Sequence, residues 1–232
     1  MTVLEATDLS KTYTGGDGGL LTVLDGVQLA VERGEMIAIV GASGAGKSTL
    51  LHLLGALDVP TRGEVRVEGR ALAGLADEEL SRLRNRHIGF VFQFHHLLRE
   101  FSALENVMMP LRLAGRPVDE AHARAADLLG RVGLQGRMLH RPGELSGGEQ
   151  QRAAVARALA MEPAVVLADE PSGNLDHMNS ERLHELLSSL ARDLSIAMVV
   201  ATHNRSLASR ADRVLLLEDG ALRPTTLHEV LA

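Results

Sequence analysis

Short apolar runs alternate with amphipathic stretches along this chain, and the spacing changes character twice. Residues 3–9 read as a strand, and Gly15-Gly16-Asp17-Gly18-Gly19 reads as a hairpin-type turn before a second strand over 21–31. A glycine-rich turn between apolar runs predicts antiparallel pairing in this first part. Met36-Ile37-Ala38-Ile39-Val40 is apolar at every position, as in a strand covered on both faces. Residues 50–54 have helical spacing, and residues 63–69 form a short alternating strand bounded by glycines. Residues 77–85 read as a helix with Asp77 as N-cap, and 88–92 as a strand ending at Gln93. From 103 to 139 the period is helical, over 104–113 and 118–132, with Pro110, Gly115 and Pro117 as breaks. The rhythm then becomes strictly α/β: helix 146–160, strand 164–168, helix 179–192, strand 196–201, a final strand and turn over 214–220, and a terminal helix over 226–232. Apolar strands separated by helices predict an α/β fold with a mainly parallel core sheet. The expected organisation is one domain spanning 1–232. Its core and antiparallel β part take in about 1–92 and 140–232, and a helical insert takes in about 93–139 and runs on into the helix that follows.

Composition narrows the function classes. Lys and Arg total 24 against 30 Asp and Glu, a formal charge of −6, and there are four Phe, one Tyr and no Trp. Nucleic-acid binders more often show a basic face with stacking aromatics, so no nucleic-acid partner is expected. With no Cys, disulfide and thiol chemistry are excluded, which suits a reducing compartment. No basic segment followed by an apolar stretch opens the chain, and no apolar run approaches the roughly 18 residues of a membrane span. A role at a membrane would require docking onto something that spans it.

The chemistry begins at Gly41-Ala42-Ser43-Gly44-Ala45-Gly46-Lys47-Ser48-Thr49, a G-x-x-x-x-G-K-[ST] pattern placed between a strand and a helix. Glycines let the backbone curl so that successive N–H groups meet one anion, and the helix turns its positive end to the same point. Lys47 can reach the β- and γ-phosphates, and the Ser48 hydroxyl can ligate Mg²⁺. This context predicts nucleoside-triphosphate binding. Val165-Val166-Leu167-Ala168-Asp169-Glu170 is an apolar strand ending in two carboxylates. Delivered beside the phosphate loop, Asp169 would hold Mg²⁺, directly or through water, and Glu170 would orient or deprotonate the attacking water. A solvated acidic strand end is the alternative. Leu145-Ser146-Gly147-Gly148-Glu149 opens a helix and is a second anion-binding device; a plain helix cap is its alternative. One nucleotide does not need two cradles, so a head-to-tail homodimer with each nucleotide between two subunits is the economical solution. His203 follows a strand where it could reach the γ-phosphate or serve only structure.

With these residues in view, the chain resembles the ATP-binding-cassette ATPases over its whole length. The resemblance places the adenine-stacking aromatic on Tyr13, the phosphate loop on Gly41 to Thr49, the Q-loop on Gln93 and the signature on Leu145 to Glu149. It places the D-loop on Asn174-Leu175-Asp176 and the switch histidine on His203. It implies ATP and Mg²⁺, the latter held by Ser48, Gln93 and Asp169, with Glu170, His203 and Gln93 as catalytic residues. It further implies that Gln93 senses Mg²⁺ and the membrane partner, and that Asp176 couples the two sites. The signature ends in Glu149 where many members carry Gln, and Ser172-Gly173-Asn174 stands where many have a Ser-Ala pair. Both variants resemble the branch that serves lipoprotein release, macrolide-type export and cell division. Phe94-His95-His96-Leu97-Leu98 with residues 101–107 resembles the lipoprotein-releasing ATPases most, although Arg99-Glu100 departs from the expected Pro-Asp and cell-division cassettes share the His-His-Leu-Leu element. That resemblance implies two membrane-spanning permease subunits, LolC- and LolE-like, and a peripheral place on the cytoplasmic face of a bacterial inner membrane. Phe94, Leu97, Leu98 and Phe101 are the candidate docking anchors, with core packing as their alternative. A metal site at His95-His96 is disfavoured without acidic or Cys neighbours. The competing classes are a soluble small-molecule kinase, which gives no reason for the Ser-Gly-Gly cradle, and an ATP-gated clamp on DNA or the ribosome.

Overall fold

The computed structural model describes residues 1–16 and 18–226. In chain order the first elements are β1 (Thr2–Thr14), β2 (Leu20–Glu32), β3 (Met36–Val40), α1 (Lys47–Leu54), β4 (Arg62–Val67), β5 (Arg70–Ala71), α2 (Asp77–His87) and β6 (Ile88–Val91). They are followed by α3 (Ala103–Leu113), α4 (Val118–Arg131), α5 (Gly147–Ala158), β7 (Val165–Asp169), α6 (His177–Leu194), β8 (Ala197–Ala201), α7 (Arg205–Ala208), β9 (Arg213–Glu218) and β10 (Ala221–Pro224). The expected two kinds of sheet are present. An antiparallel sheet runs β2-β1-β4-β5, and a second sheet runs β10-β9-β3-β8-β7-β6, parallel except where β10 turns back along β9.

Strand periodicity explains the layering. Val165 and Leu167 of β7, and Ala197, Val199 and Ala201 of β8, face a core shared with α1 and the antiparallel sheet. Val166, Ala168, Met198 and Val200 point to the opposite face, into a core shared with α3, α4, α5 and α6. A strand residue alternates sides, so a run apolar at every position needs cover on both. Each of the Val, Leu and Met side chains among them contributes about 1.5–3 kcal/mol through burial. In the first core, buried Leu50, Leu53 and Leu54 fix α1 against the sheet and so fix the loop that precedes it.

The strand ending at Asp169 reaches the phosphate loop's side of the sheet as expected, although β8 lies between it and β3. Several local expectations are corrected. Pro110 lies inside α3 rather than ending it; the helix continues to Leu113, carried by buried Val107 and Leu111. Ala76, not Asp77, is the N-cap of α2, and Glu79 reaches back to accept its N–H at 3.3 Å. Asp176 caps α6, which therefore starts before residue 179. The strand over 214–220 is not the last, because β10 follows it, and the short elements β5 and α7 gave no periodicity to read. The hairpin turn closes through Gly15 N–H to the Gly19 carbonyl (2.7 Å) and Gly18 N–H to the Gly15 carbonyl (3.0 Å), with Asp17 outside the described residues. The terminal helix expected over 226–232 lies, beyond Thr226, outside the described residues. Among the described residues no helix is long and apolar enough to cross a membrane.

One buried polar side chain organises the segment before α3. Asn106 accepts the Leu98 N–H at 2.8 Å and donates to the carbonyls of Leu98, Phe101 and Ser102 at 3.1, 3.1 and 2.9 Å. Asn106→Ala would remove all four bonds at once, taking from the Leu98 N–H and the Phe101 carbonyl their partner, and is expected to lower unfolding free energy by about 2–3 kcal/mol. A urea midpoint that falls with unchanged slope checks this.

Candidate nucleotide site

The phosphate loop is shaped by contacts that exclude side chains. A Cβ on Gly41 would lie 2.4 Å from the Leu217 carbonyl oxygen of β9. Gly46, at the head of α1, has φ of 100° and would drive a Cβ to 2.7 Å from Val23 Cγ1. Lys47 is buried, and its Nζ donates to the carbonyls of Gly41 (2.9 Å) and Ala42 (3.0 Å). Drawing those carbonyls onto the ammonium leaves the loop N–H groups and the α1 N-terminus to meet an anion from the other side.

Beside the loop is a cleft of about 710 Å³ that collects most of the expected site residues: Tyr13, Ser43, Gly44, Gly46, Lys47, Ser48, Thr49, Gln93, Asp169, Glu170 and His203. Leu21 and Val23 of β2 also line it, though nothing in the sequence marked them beyond strand alternation. Gly41, Ala42 and Ala45 do not line it. Tyr13 is oriented by its hydroxyl, which donates to Asp58 Oδ2 at 2.9 Å, while Lys11 Nζ sits 4.8 Å from its ring centre. Burial pushes the Asp58 carboxyl up. Hydrogen bonds from Lys11, the Val59 N–H and Tyr13, together with the Lys11 charge, outweigh this and hold it below the ordinary range.

Glu170 stands at φ of 43°, a left-handed conformation that a non-glycine residue adopts at a cost of about 1–3 kcal/mol. Its N–H is tied to the Ala201 carbonyl at 2.9 Å. Its carboxylate accepts from the Thr202 hydroxyl (3.3 Å) and the His203 N–H (3.1 Å), and Oε1 lies 2.8 Å from His203 Nδ1. The intervening β8 thus supplies the residues that aim Glu170. Ser48, Gln93 and Asp169 bring a hydroxyl, an amide oxygen and a carboxylate to one cleft. Oxygen donors of this kind fit a hard divalent cation such as Mg²⁺.

Gln93 is held from two sides. Its Nε2 donates to Asn174 Oδ1, and Asn174 Nδ2 donates to the Gln93 carbonyl, both at 3.1 Å. Around it, α5 holds the backbone: Gln151 Nε2 donates to the Phe92 carbonyl (2.8 Å), and Arg157 donates to the carbonyls of His95 (2.8 Å) and His96 (2.7 Å). Burial pushes the Arg157 guanidinium below its usual range. None of these partners was legible beforehand, because they join segments far apart in the chain. His95 and His96 belong to no metal cluster among the described residues, and His95 Nδ1 instead accepts the Leu97 N–H at 3.1 Å.

The signature turn does not line the cleft of its own chain. Leu145 and Gly148 are buried, and Ser146 and Gly147 are exposed at the start of α5. The plain-cap alternative is realised as well, since Ser146 Oγ accepts the Glu149 N–H (3.3 Å) and Glu149 Oε2 accepts the Ser146 N–H (2.8 Å). Leu175 is half-buried against the helical core, and Asp176 Oδ1 accepts the Asn179 N–H at 2.9 Å. Of the expected docking anchors, Phe94, Leu98 and Phe101 are exposed, but Leu97 is 6% exposed and packs in the helical core. Leu97 is therefore a core residue, because its neighbour Leu98 takes the outward position.

Two outcomes follow from this geometry. Glu170→Gln is expected to leave nucleotide affinity intact and reduce turnover by about a hundredfold or more, measured by phosphate release alongside nucleotide titration. For Glu149, hydrogen bonds from the Ser146 N–H and hydroxyl hold the carboxyl below its ordinary value. A depressed folded-state pKa gives stability that is present above the unfolded value and lost as pH falls through the folded one. The stability advantage of the native chain over Glu149→Gln should therefore shrink on acidification below the usual carboxylate range, as read by paired denaturation curves.

Comparison with known proteins gives the family. The family described as ABC transporter matches residues 24–173. The lipoprotein-releasing system ATP-binding protein LolD of Xylella fastidiosa is 57% identical over 229 residues, covering 98% of this chain and 95% of that protein. The protein of the same name from Geobacter metallireducens is 55% identical, covering 94% of this chain and 96% of its own length. Among solved structures, a dimeric post-hydrolysis state of the ATP-binding cassette MJ0796 bound to ADP and Pi superposes with a TM-score of 0.88 at 38% identity, covering 97% of this chain and 98% of that one. The phosphate loop, the paired carboxylates and the capped signature turn lie within one matched fold, and the chain belongs to the ABC transporter family as one of its ATP-hydrolysing cassettes.

Proposed function

We propose that this chain drives a membrane complex that releases lipoproteins from the inner membrane towards the outer membrane. It works as a head-to-tail pair beneath two permease subunits of the LolC and LolE kind, peripheral on the cytoplasmic face. The observation that carries the paired arrangement is the signature turn, which is exposed, capped and absent from its own cleft. The substrate class is supported by the likeness, over nearly the whole chain, to proteins named for lipoprotein release.

In this reading the phosphate-loop N–H groups and Lys47 hold the β- and γ-phosphates of ATP. Tyr13 stacks on the adenine, and Ser146 with Gly147 of the second copy closes over the γ-phosphate. Ser48, Gln93 and Asp169, the last directly or through water, would hold Mg²⁺, which when bound would neutralise charge developing on the phosphate oxygens. Glu170 takes the proton of the attacking water, and His203 keeps that carboxylate aimed while contacting the γ-phosphate. Asp176 couples the two sites. Residues 93–139 with α5 move relative to 1–92 and the remainder of 140–232, and Phe94, Leu98 and Phe101 pass the movement to the permeases.

Tagged Glu170→Gln, trapped with Mg-ATP and purified from detergent-solubilised membranes, should bring down two membrane subunits together with bound lipoprotein. Recovery of a division-type partner, or of no membrane protein, would overturn the lipoprotein reading. Phe94→Ala combined with Leu98→Ala should reduce that recovery about tenfold with little change in Tm, whereas Leu97→Ala should lower Tm.

A further inference from the structure

We propose that Asn174 is a positioning residue for Gln93, fixing which atom of its amide is offered to the bound cation. The inference rests on the reading of Gln93 as a ligand. The carbonyls of Phe92, His95 and His96 are pinned by Gln151 and Arg157 of α5, so the backbone on both sides of Gln93 is set. What remains to be set is the direction of the amide. Asn174 accepts from its Nε2 and donates to the Gln93 carbonyl, a reciprocal amide pair. With Nε2 engaged, Oε1 accepts no hydrogen bond among the described residues, and oxygen is the atom that a hard cation takes.

Gly173 is an independent mark of the same arrangement. A Cβ there would meet Gln93 Nε2 at 2.9 Å, Cδ at 3.1 Å and Cγ at 3.2 Å. The Gln93 side chain lies over the Gly173 position, and a side chain there would require it to shift. Ser172-Gly173-Asn174 thus forms a seat for Gln93: glycine provides the room and asparagine the orientation. A residue with a short apolar side chain at 174 could do neither part of the amide exchange.

The test uses the full chain loaded with ATP, with Mn²⁺ as the spectroscopic substitute for Mg²⁺ and Glu170→Gln as background to prevent turnover. Mn²⁺ affinity is read by electron paramagnetic resonance for Gln93→Ala, Asn174→Ala, the double variant and Gly173→Ala, and Tm is recorded for each. Asn174→Ala and Gly173→Ala should weaken Mn²⁺ by roughly three- to tenfold, the range commanded by one or two neutral hydrogen bonds. The double variant should bind no more weakly than Gln93→Ala alone, since Asn174 acts only through Gln93. If Gln93→Ala leaves Mn²⁺ affinity unchanged, the ligand role of Gln93 and this inference fall together. If Gln93→Ala weakens Mn²⁺ but Asn174→Ala does not, or if the two losses add, the positioning role alone is overturned. A drop in Tm without a change in Mn²⁺ affinity would likewise reduce Asn174 to a structural contact.

Discussion

The placement of one buried ammonium group underlies the rest of the site. Among the described residues no carboxylate pairs with Lys47; it is held by the carbonyls of Gly41 and Ala42. A buried cation satisfied only by neutral oxygens keeps its full charge available for an incoming anion, and the arrangement is stable because every donor direction it uses is filled by backbone. That geometry requires the loop to press against β9 at Gly41 and against β2 at Gly46, where no side chain fits. The antiparallel sheet, which supplies β2, is therefore a wall of the phosphate site as well as cover for the core.

The same device recurs in the segment after β6. Arg157 donates to two successive carbonyls, and His96, the second of them, has φ of 47°. Here the cation fixes the shape of a loop. Two side chains of α5 thereby tie the loop carrying Gln93 and Phe94 to the helix whose first turn is the signature. In the proposed pair, the nucleotide contact in trans and the aromatics proposed to meet the permeases would share one rigid element, so a displacement of either end would be felt at the other. On the opposite side of the cleft, Glu170 is held in a strained conformation by the end of β8. That links Glu170, the proposed general base, to the same strand end that carries His203.

Much of this was legible in the sequence, for reasons that differ by element. The phosphate loop, the acidic strand end and the Ser-Gly-Gly turn could be read because each is local: the residues that make the geometry are neighbours in the chain. The core sheet could be read because β3, β8 and β7 up to Ala168 are apolar at every position, which permits few environments. Strand adjacency could not be read, because β8, late in sequence, inserts between β3 and β7, and no local pattern encodes order in a parallel sheet. Pro110 misled because burial of Val107 and Leu111 outweighs one missing helix hydrogen bond. Leu97 and Leu98 look identical to any composition-based reading, and only the left-handed turn at His96 decides which one faces the core. The S-x-x-E spacing at Ser102-Glu105 and Ser146-Glu149 was a capping signal available in the sequence.

Tyr13 has a consequence for how this molecule is seen. The chain holds a single tyrosine and no tryptophan, and that tyrosine stands at the mouth of the nucleotide cleft with its hydroxyl engaged by Asp58. Nearly all the near-ultraviolet emission of the protein therefore originates from one ring in the wall of this cleft. The cassette carries a native, single-point optical probe of its own occupancy, while absorbance at the usual wavelength all but fails to register the protein itself.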